Sequence, residues 1–436
     1  MIKECNITIA GLGNVGSQVI KSIEENKTFI KDKSQISFNI IGISAKNKLK
    51  KRIINIDNYK WFDNPENLIT NLNPGVFIEL IGQEKGLSYQ LVKKALQNRI
   101  NVITANKALL SKHGNELFHI ADTNKVLLLF EAAVAGGLPI VRLLKQSLFL
   151  NKINKISGIL NGTTNFILSE MEKKNLNFHE ILGEAKKNGF SEADPTNDIE
   201  GIDAAHKLSL LSGICFATKI NFNNIKYKGI SDIQIEDINN AKKLGYKIKL
   251  IATSEIINNS MLNVVEPTLV HNTSQLSNVD GVLNGIKIQT DHLSSLFLEG
   301  QGAGGKATTS SIISDLFEIV NKSQAYSFGH KAEQLKDIQP LSYNDRVSYY
   351  YLRIQVKDIP GVLAIITSRL NEEGISIETI LQIPEESKHS LKQEVPIIIT
   401  THKTTFNLLT KALNKIENFD FVVSKIAVIN IDKTIS

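Results

Sequence analysis

Between residues 6 and 130, short apolar runs alternate with segments whose apolar positions recur every three or four residues. Ile7 to Ala10, Phe38 to Ser44, Val76 to Ile81, Asn101 to Thr104 and Val126 to Phe130 read as strands, and Val15 to Glu25 and Ser88 to Asn98 as helices. Such alternation predicts a parallel sheet with helices on both faces. From about Ala135 the pattern changes. Pro139 to Phe149 predicts a long helix, Gly201 to Leu211 a second, and several short strands fall between Lys247 and Leu298, so a second domain with a mixed sheet is expected. The glycine cluster Gly300 to Gly305 precedes a helix from about Thr308 to Val320, placed to return onto the first domain. The chain is then polar and irregular from Asn321 to Arg346, as a linker would be. Beyond it, Tyr349 to Val356, Gly361 to Glu373, Ile375 to Ile383, Val395 to Thr400, Thr404 to Ile416 and Val422 to Ile431 read as βαββαβ, a ferredoxin-like module.

Composition narrows the class. The 436 residues are 42% hydrophobic and 22% charged, a globular balance that suits two or three cored domains. The formal charge of +6 is small for this length and its basic residues are interspersed with acidic ones, which disfavours a nucleic-acid partner. Two cysteines, Cys5 and Cys215, supply neither a disulfide framework nor a thiolate metal cluster, so the cytoplasm is the expected compartment. The first residues lack a signal-peptide core, and runs such as Val126 to Phe130 are too short to span a bilayer, so no membrane segment is expected.

Ile7-Thr8-Ile9-Ala10 leads directly into Gly11-Leu12-Gly13-Asn14-Val15-Gly16 and then a helix, the context that a dinucleotide fingerprint requires. Gly11 permits the tight turn, Gly13 lets the backbone approach a pyrophosphate, and Gly16 lets the helix pack close. The following helix start offers unpaired N–H groups and a positive dipole end. Where an acid would recognise a ribose 2′-hydroxyl, the second strand ends in Ile43-Ser44-Ala45-Lys46-Asn47-Lys48, with Lys50, Lys51 and Arg52 close behind. Cations there favour a 2′-phosphate and hence NADP(H), with NAD(H) as the lesser alternative; a solvated basic loop is the competing account.

Hydride addition to a carbonyl makes an alkoxide, which calls for a cation or acid beside the oxygen. Lys107 follows a parallel strand at its carboxyl end, where ligands gather in open α/β sheets, although a surface lysine opening a helix would look the same. Asp203 and Lys207 stand at i and i+4, so they share a helix face. An exposed salt bridge would explain that spacing; Leu208, Leu210 and Leu211 argue instead for a partly buried pair, where desolvation suits a lysine to proton transfer. His206 and His330 lack metal-ligand spacing, and Cys215 lacks the setting of an activated nucleophile.

These segments together resemble homoserine dehydrogenase over nearly the whole chain. The resemblance is carried by the glycine loop, Thr104 to Leu109, Glu131 to Pro139, Gly158 to Asn165 and Gly189 to Lys207. It implies the interconversion of L-aspartate 4-semialdehyde and L-homoserine, in threonine, methionine and isoleucine biosynthesis. Lys207 would be the acid that protonates the substrate oxygen and Lys107 a second essential cation beside nicotinamide and substrate. Glu192 and Asp203 would bind the amino acid end, supported by Asp198. Gly11, Gly13, Asn14, Val15, Gly16, Lys46, Lys107, Gly189, Gly302 and Gly304 would line the cofactor, and Glu131, Val134, Gly136 and Leu138 would form a sodium site built largely from backbone carbonyls. Ala307-Thr308 replaces the family's usual Pro-Thr after the second glycine loop.

The segment Tyr351 to Leu363 resembles the opening of an ACT domain, which implies an amino-acid effector, threonine, and assembly as a homodimer or homotetramer. The resulting expectation is an α/β chain with a Rossmann-type dinucleotide-binding domain over 1–134, onto which 306–330 packs back. An α+β substrate-binding and dimerisation domain over 135–305, a linker over 331–347 and an ACT domain over 348–436 complete it. Two rivals remain: a dehydrogenase of another small amino or hydroxy acid, and a regulatory amino-acid-binding protein with a silent body. The second predicts loss of Lys107, Lys207 or the glycines, all of which are present.

Overall fold

The computed structural model describes residues 2–192, 194–322, 326–382 and 394–434; Ala193 and Ile383, which fall within segments singled out above, lie outside them. The chain forms two compact units, one of Met1–Ile156, Asp203–Ile225 and Leu283–Ile338, the other of Ser157–Ile202, Lys226–Val282 and Gln339–Ser436. No helix among the described residues is long and apolar enough to cross a membrane.

In the first unit the apolar runs form five strands: β1 (Lys3–Ala10), β2 (Ile36–Ser44), β3 (Val76–Glu79), β4 (Asn101–Thr104) and β5 (Leu128–Leu129). All pair in parallel, in the order β2-β1-β3-β4-β5. Parallel strands covered on both faces need continuous apolar runs, and Ile7, Ile9, Val76, Ile78 and Ile103 are all fully buried. The same core takes in Val19, Ile20 and Ile23 of helix Asn14–Glu25 and Ile312, Leu316 and Ile319 of helix Gly305–Asn321. That last helix begins earlier than the pattern predicts, because Gly304 at φ +114° makes the turn into it. The sheet order changes direction between β1 and β3, so the loops leaving those two strands flank the crevice where ligands bind in such sheets.

The predicted helix from Pro139 to Phe149 is broken. Ile140–Arg142 is α-helical, and Leu143–Ser147 continues as a wider π-helical turn. Tertiary contacts explain the departure: Arg142 Nε and Lys145 Nζ converge on the Glu318 carboxylate, at 2.8 and 3.7 Å.

The second unit also departs from the short strands expected after Lys247. Tyr246–Ile257 and Ser260–His271 are twelve residues each, paired antiparallel. The turn between them is Asn258-Asn259, with φ values of 49° and 64°, a geometry that asparagine tolerates and two-residue hairpins require. The C-terminal module forms the expected βαββαβ, with strands Val347–Lys357, Ile377–Gln382, Glu394–Thr401 and Ala427–Asp432 and helices Val362–Glu372 and Phe406–Glu417.

This module is not a bead on a flexible tether. Its last strand pairs in parallel with Ser260–His271, matching Asn430 to Thr268 and Asp432 to Val270, so one sheet runs through both. The preceding linker bonds to the same strand, with Met261 N–H donating to the Gln339 carbonyl and Leu341 N–H to that of Met261. On the module's first strand Arg353 forks onto Asp237 at 2.7 and 3.0 Å, and the Tyr351 hydroxyl reaches the same carboxylate at 3.1 Å.

Candidate active site

The glycine loop turns where β1 ends. Gly11 has φ +101°, and a Cβ there would lie 2.3 Å from the Leu80 carbonyl oxygen at the exit of β3. A Cβ on Gly16 would lie 2.0 Å from the Gly11 carbonyl oxygen, so the helix seats on the turn itself. At Gly13 none of the described residues stands within 4 Å of that position, which leaves its backbone open to an incoming group. Among the described residues no side chain caps helix Asn14–Glu25 or helix Gly305–Asn321, and Asn14 Oδ1 lies 3.4 Å from where a Gly305 Cβ would be. Two uncapped helix starts thus meet side by side, each with unpaired N–H groups and a positive dipole end, as a pyrophosphate requires.

Beyond β2, Lys46, Lys48, Lys50 and Lys51 are exposed. Arg52 is used differently. Its guanidinium donates to the carbonyls of Leu12, Lys48 and Lys50, at 3.2, 3.1 and 2.8 Å, and also to that of Asn47, folding the basic loop and tying it to the glycine loop.

At the carboxyl end of β3, Glu79 is fully buried. One of its oxygens accepts the Ile81 N–H and the Ser88 hydroxyl at 2.8 and 2.9 Å, and the other accepts the Thr104 hydroxyl at 2.6 Å. Thr104 in turn receives the Asn106 N–H, and the Asn106 side chain caps helix Lys107–Asn124 by accepting from Leu109 N–H at 3.1 Å. Lys107 therefore opens that helix, at the end where the dipole disfavours a cation.

Asp203 offsets that charge. Its Oδ1 lies 2.9 Å from Lys107 Nζ and its Oδ2 lies 2.7 Å from Lys207 Nζ, so one carboxylate bridges both lysines. The Asp203 and Lys207 side chains are 9% and 10% exposed, while that of Lys107 is 40% exposed. Two ammonium groups against one carboxylate leave an excess positive charge at a partly desolvated place, the arrangement that stabilises a developing alkoxide. His206, on helix Ile202–Phe216 with Asp203 and Lys207, joins that helix to helix Lys107–Asn124: its Nδ1 lies 2.6 Å from the Ser111 hydroxyl, and its ring stacks on Phe222 at 4.2 Å.

In the second unit, Asp198 accepts from Asn161 Nδ2 at 2.7 Å and lies 3.1 Å from the Thr163 hydroxyl. Asn161 also caps helix Gly162–Lys174 through the Thr164 N–H. Glu192 is exposed, and Gly189 turns at φ +73°.

The loop from Glu131 to Pro139 is held from within the first unit. The buried Glu131 carboxylate accepts the Val141 and Arg142 N–H groups, each at 2.8 Å, and burial raises its pKa. Its own N–H donates to Asp315 at 3.0 Å. Gly136 has φ +55°, a Cβ there would strike the Gly302 carbonyl oxygen at 2.4 Å, and its carbonyl accepts the Ser311 hydroxyl at 2.6 Å. Among the described residues no group of three or more His, Cys, Asp or Glu is placed to hold a metal ion. With the Glu131 carboxylate engaged, the loop's offer to a cation is backbone carbonyl oxygen, a hard donor set that fits an alkali ion and not a thiophilic metal.

The sequence pattern missed Glu79, the Arg52 tether, the Ser111–His206 link and the grip on Asp198. Asn106 and Asn161 had a readable signal, since each stands where an N-cap belongs. Glu79, an acid closing the apolar run Val76-Phe77-Ile78, had no local signal of its partners.

Comparison with known proteins gives a consistent result. Residues 11–131 match the family model for the homoserine dehydrogenase NAD-binding domain, residues 139–317 that for homoserine dehydrogenase, and residues 350–418 that for the ACT domain. The homoserine dehydrogenase of Neisseria gonorrhoeae is 36% identical over 438 residues, covering 99% of each chain. That of Bacillus subtilis is 35% identical over 422 residues, covering 95% of this chain and 96% of the other. The crystal structure of a homoserine dehydrogenase from Thiobacillus denitrificans superposes with a TM-score of 0.91 at 34% identity, covering 99% of both chains.

Burial pushes the His206 imidazole down from 6.5 to about 4, against the pull of the Asp203 and Glu84 carboxylates. Between these values the unfolded chain binds a proton that the folded chain refuses, so stability rises with pH through the window and is lost as pH falls. His206→Gln, which can still bond Ser111, should lose less thermal stability than wild type between about pH 6.5 and pH 4. Equal losses in melting experiments would show that folding does not lower the His206 pKa.

Proposed function

The chain belongs to the homoserine dehydrogenase family, and from that premise we propose how its residues divide the NAD(P)-dependent interconversion of L-aspartate 4-semialdehyde and L-homoserine. The bound nicotinamide supplies the hydride in the reducing direction and accepts it in the other. Lys207 holds the proton that the substrate oxygen takes up, and Lys107 adds a second positive charge to the same site. The carrying observation is the Asp203 carboxylate between them, at 2.9 and 2.7 Å, which keeps two like charges close enough to act on one oxygen. Asp203, which bridges the two lysines, is also assigned to the amino acid end of the substrate. Glu192 is assigned to the same end of the substrate and Asp198, gripped by Asn161 and Thr163, to its support.

Gly11, Gly13, Asn14, Val15, Gly16, Gly189, Gly302 and Gly304 are proposed to line the cofactor, with Lys46 and its exposed neighbours favouring NADP(H) over NAD(H). The absence of an acid at the end of β2 supports that preference. Sodium is proposed at the backbone carbonyls of Glu131, Val134, Gly136 and Leu138, supported by the oxygen-only donor set of that loop. For the ACT domain the proposed effector is L-threonine, acting as a feedback inhibitor of turnover.

Lys207→Ala should lower kcat by roughly 10²- to 10⁴-fold while NADPH binding, followed by fluorescence titration, stays as in wild type. Turnover near the wild-type rate would remove Lys207 from the proton-donor role. kcat/KM should be about tenfold or more higher with NADPH than with NADH, a difference of about 1.4 kcal/mol; a preference for NADH would refute the assignment of the lysine loop. Exchanging sodium for choline at constant ionic strength should slow turnover, and an unchanged rate would rule out the cation site.

A further inference from the structure

Glu79 closes β3 with its side chain fully enclosed. An acid is rarely buried to that degree without a cation beside it. Among the described residues, however, Glu79 forms no ion pair. Four neutral donors take the place of one. Oε1 accepts the Ile81 and Gly82 N–H groups at 2.8 and 3.2 Å and the Ser88 hydroxyl at 2.9 Å, and Oε2 accepts the Thr104 hydroxyl at 2.6 Å. Such donors satisfy the oxygens and leave the negative charge uncancelled.

The register of the sheet fixes where that charge lies. Glu79 pairs with Ala10, the residue before Gly11, on one side, and with Thr104, three residues before Lys107, on the other. It therefore stands at the carboxyl edge between the turn assigned to the cofactor pyrophosphate and the strand end that carries Lys107. Lys107, Lys207 and Asp203 together leave one positive charge in excess at that edge. The excess suits a substrate oxygen that turns negative, and it opposes a ring that turns positive. Oxidised nicotinamide is such a ring, because it carries a positive charge that the reduced form lacks.

We propose that Glu79 is the counter-charge of oxidised nicotinamide: its carboxylate cancels the excess left by the two lysines, so that one site accepts both cofactor forms. The proposal rests on the dehydrogenase reading above and adds a residue to it. Burial without a cation is what the role requires, since a partner would quench the field and water would screen it.

The test uses the full chain without substrate and measures dissociation constants for NADP+ and NADPH by titration calorimetry. In Glu79→Gln, which keeps the shape and loses the charge, the ratio of the NADP+ constant to the NADPH constant should rise about tenfold, the order expected of one unit charge in a partly desolvated site. Thr104→Val removes one hydrogen bond to Glu79 and keeps the charge, so it should move both constants alike. An unchanged ratio in Glu79→Gln, or an equal rise in Thr104→Val, would overturn the proposal. Should Glu79→Gln not fold, wild type decides: constants within about tenfold of each other support a compensated site, and NADP+ binding weaker than that overturns it. If the chain prefers NADH, the lysine-loop assignment fails, and the same ratio measured with NAD+ and NADH still tests Glu79. None of these readouts involves turnover, so they are independent of the proton-donor assignment of Lys207.

Discussion

Placing two ammonium groups within hydrogen-bond reach of one carboxylate is the constraint on which the proposed active centre depends. Neither lysine is where elementary electrostatics would put it. Lys107 occupies the positive end of a helix, and Lys207 is nearly buried. Each arrangement is unfavourable alone, and Asp203 relieves both at once. The surrounding structure keeps the three groups in register: the Glu79–Thr104–Asn106 chain sets where the Lys107 helix begins, and Ser111 with His206 and Phe222 sets where the Lys207 helix lies against it. The loop leaving β4 therefore serves the same purpose as the one leaving β1, to bring backbone and charge to the carboxyl edge of a parallel sheet.

A second buried charge cluster lies in the same unit, beginning at Glu131 just past the carboxyl end of β5. Glu131, Asp315 and Glu318 face Arg142 and Lys145 in the interior of the first unit. Burial, and after it the neighbouring Glu131 carboxylate, raises the Asp315 pKa, while burial lowers that of Lys145. The cluster joins the loop from Glu131 to Pro139 to the helix whose start meets Asn14, so the second glycine loop is positioned by ionic contacts deeper in the same helix. Replacement of the usual Pro-Thr by Ala307-Thr308 leaves that loop anchored: both residues lie within the helix, and the Ala307 Cβ lies 3.0 Å from where a Gly137 Cβ would be.

The ACT module is joined to its neighbour by main-chain hydrogen bonds and by buried ion pairs. Arg353 on Asp237 and Arg346 on Glu266 each put a guanidinium from the C-terminal part of the chain onto an acid of the preceding segment. Buried pairs of this kind contribute little net stability but are costly to break, which favours one defined arrangement.

What the sequence by itself determined was everything whose cause lies within one turn or one strand. The glycine turn at Gly11, the alternation that builds the parallel sheet, the βαββαβ order and the i, i+4 placing of Asp203 and Lys207 all follow from local geometry, and the motif set carried the family. Tertiary structure alone decided that Lys107 shares Asp203 with Lys207, that Arg52 folds its own loop, that the helix after Pro139 widens, and that one sheet continues into the ACT module. Those features join residues far apart in the chain. No periodicity or turn signal encodes such partners, because packing and the pairing of buried charge select them only once the elements have met.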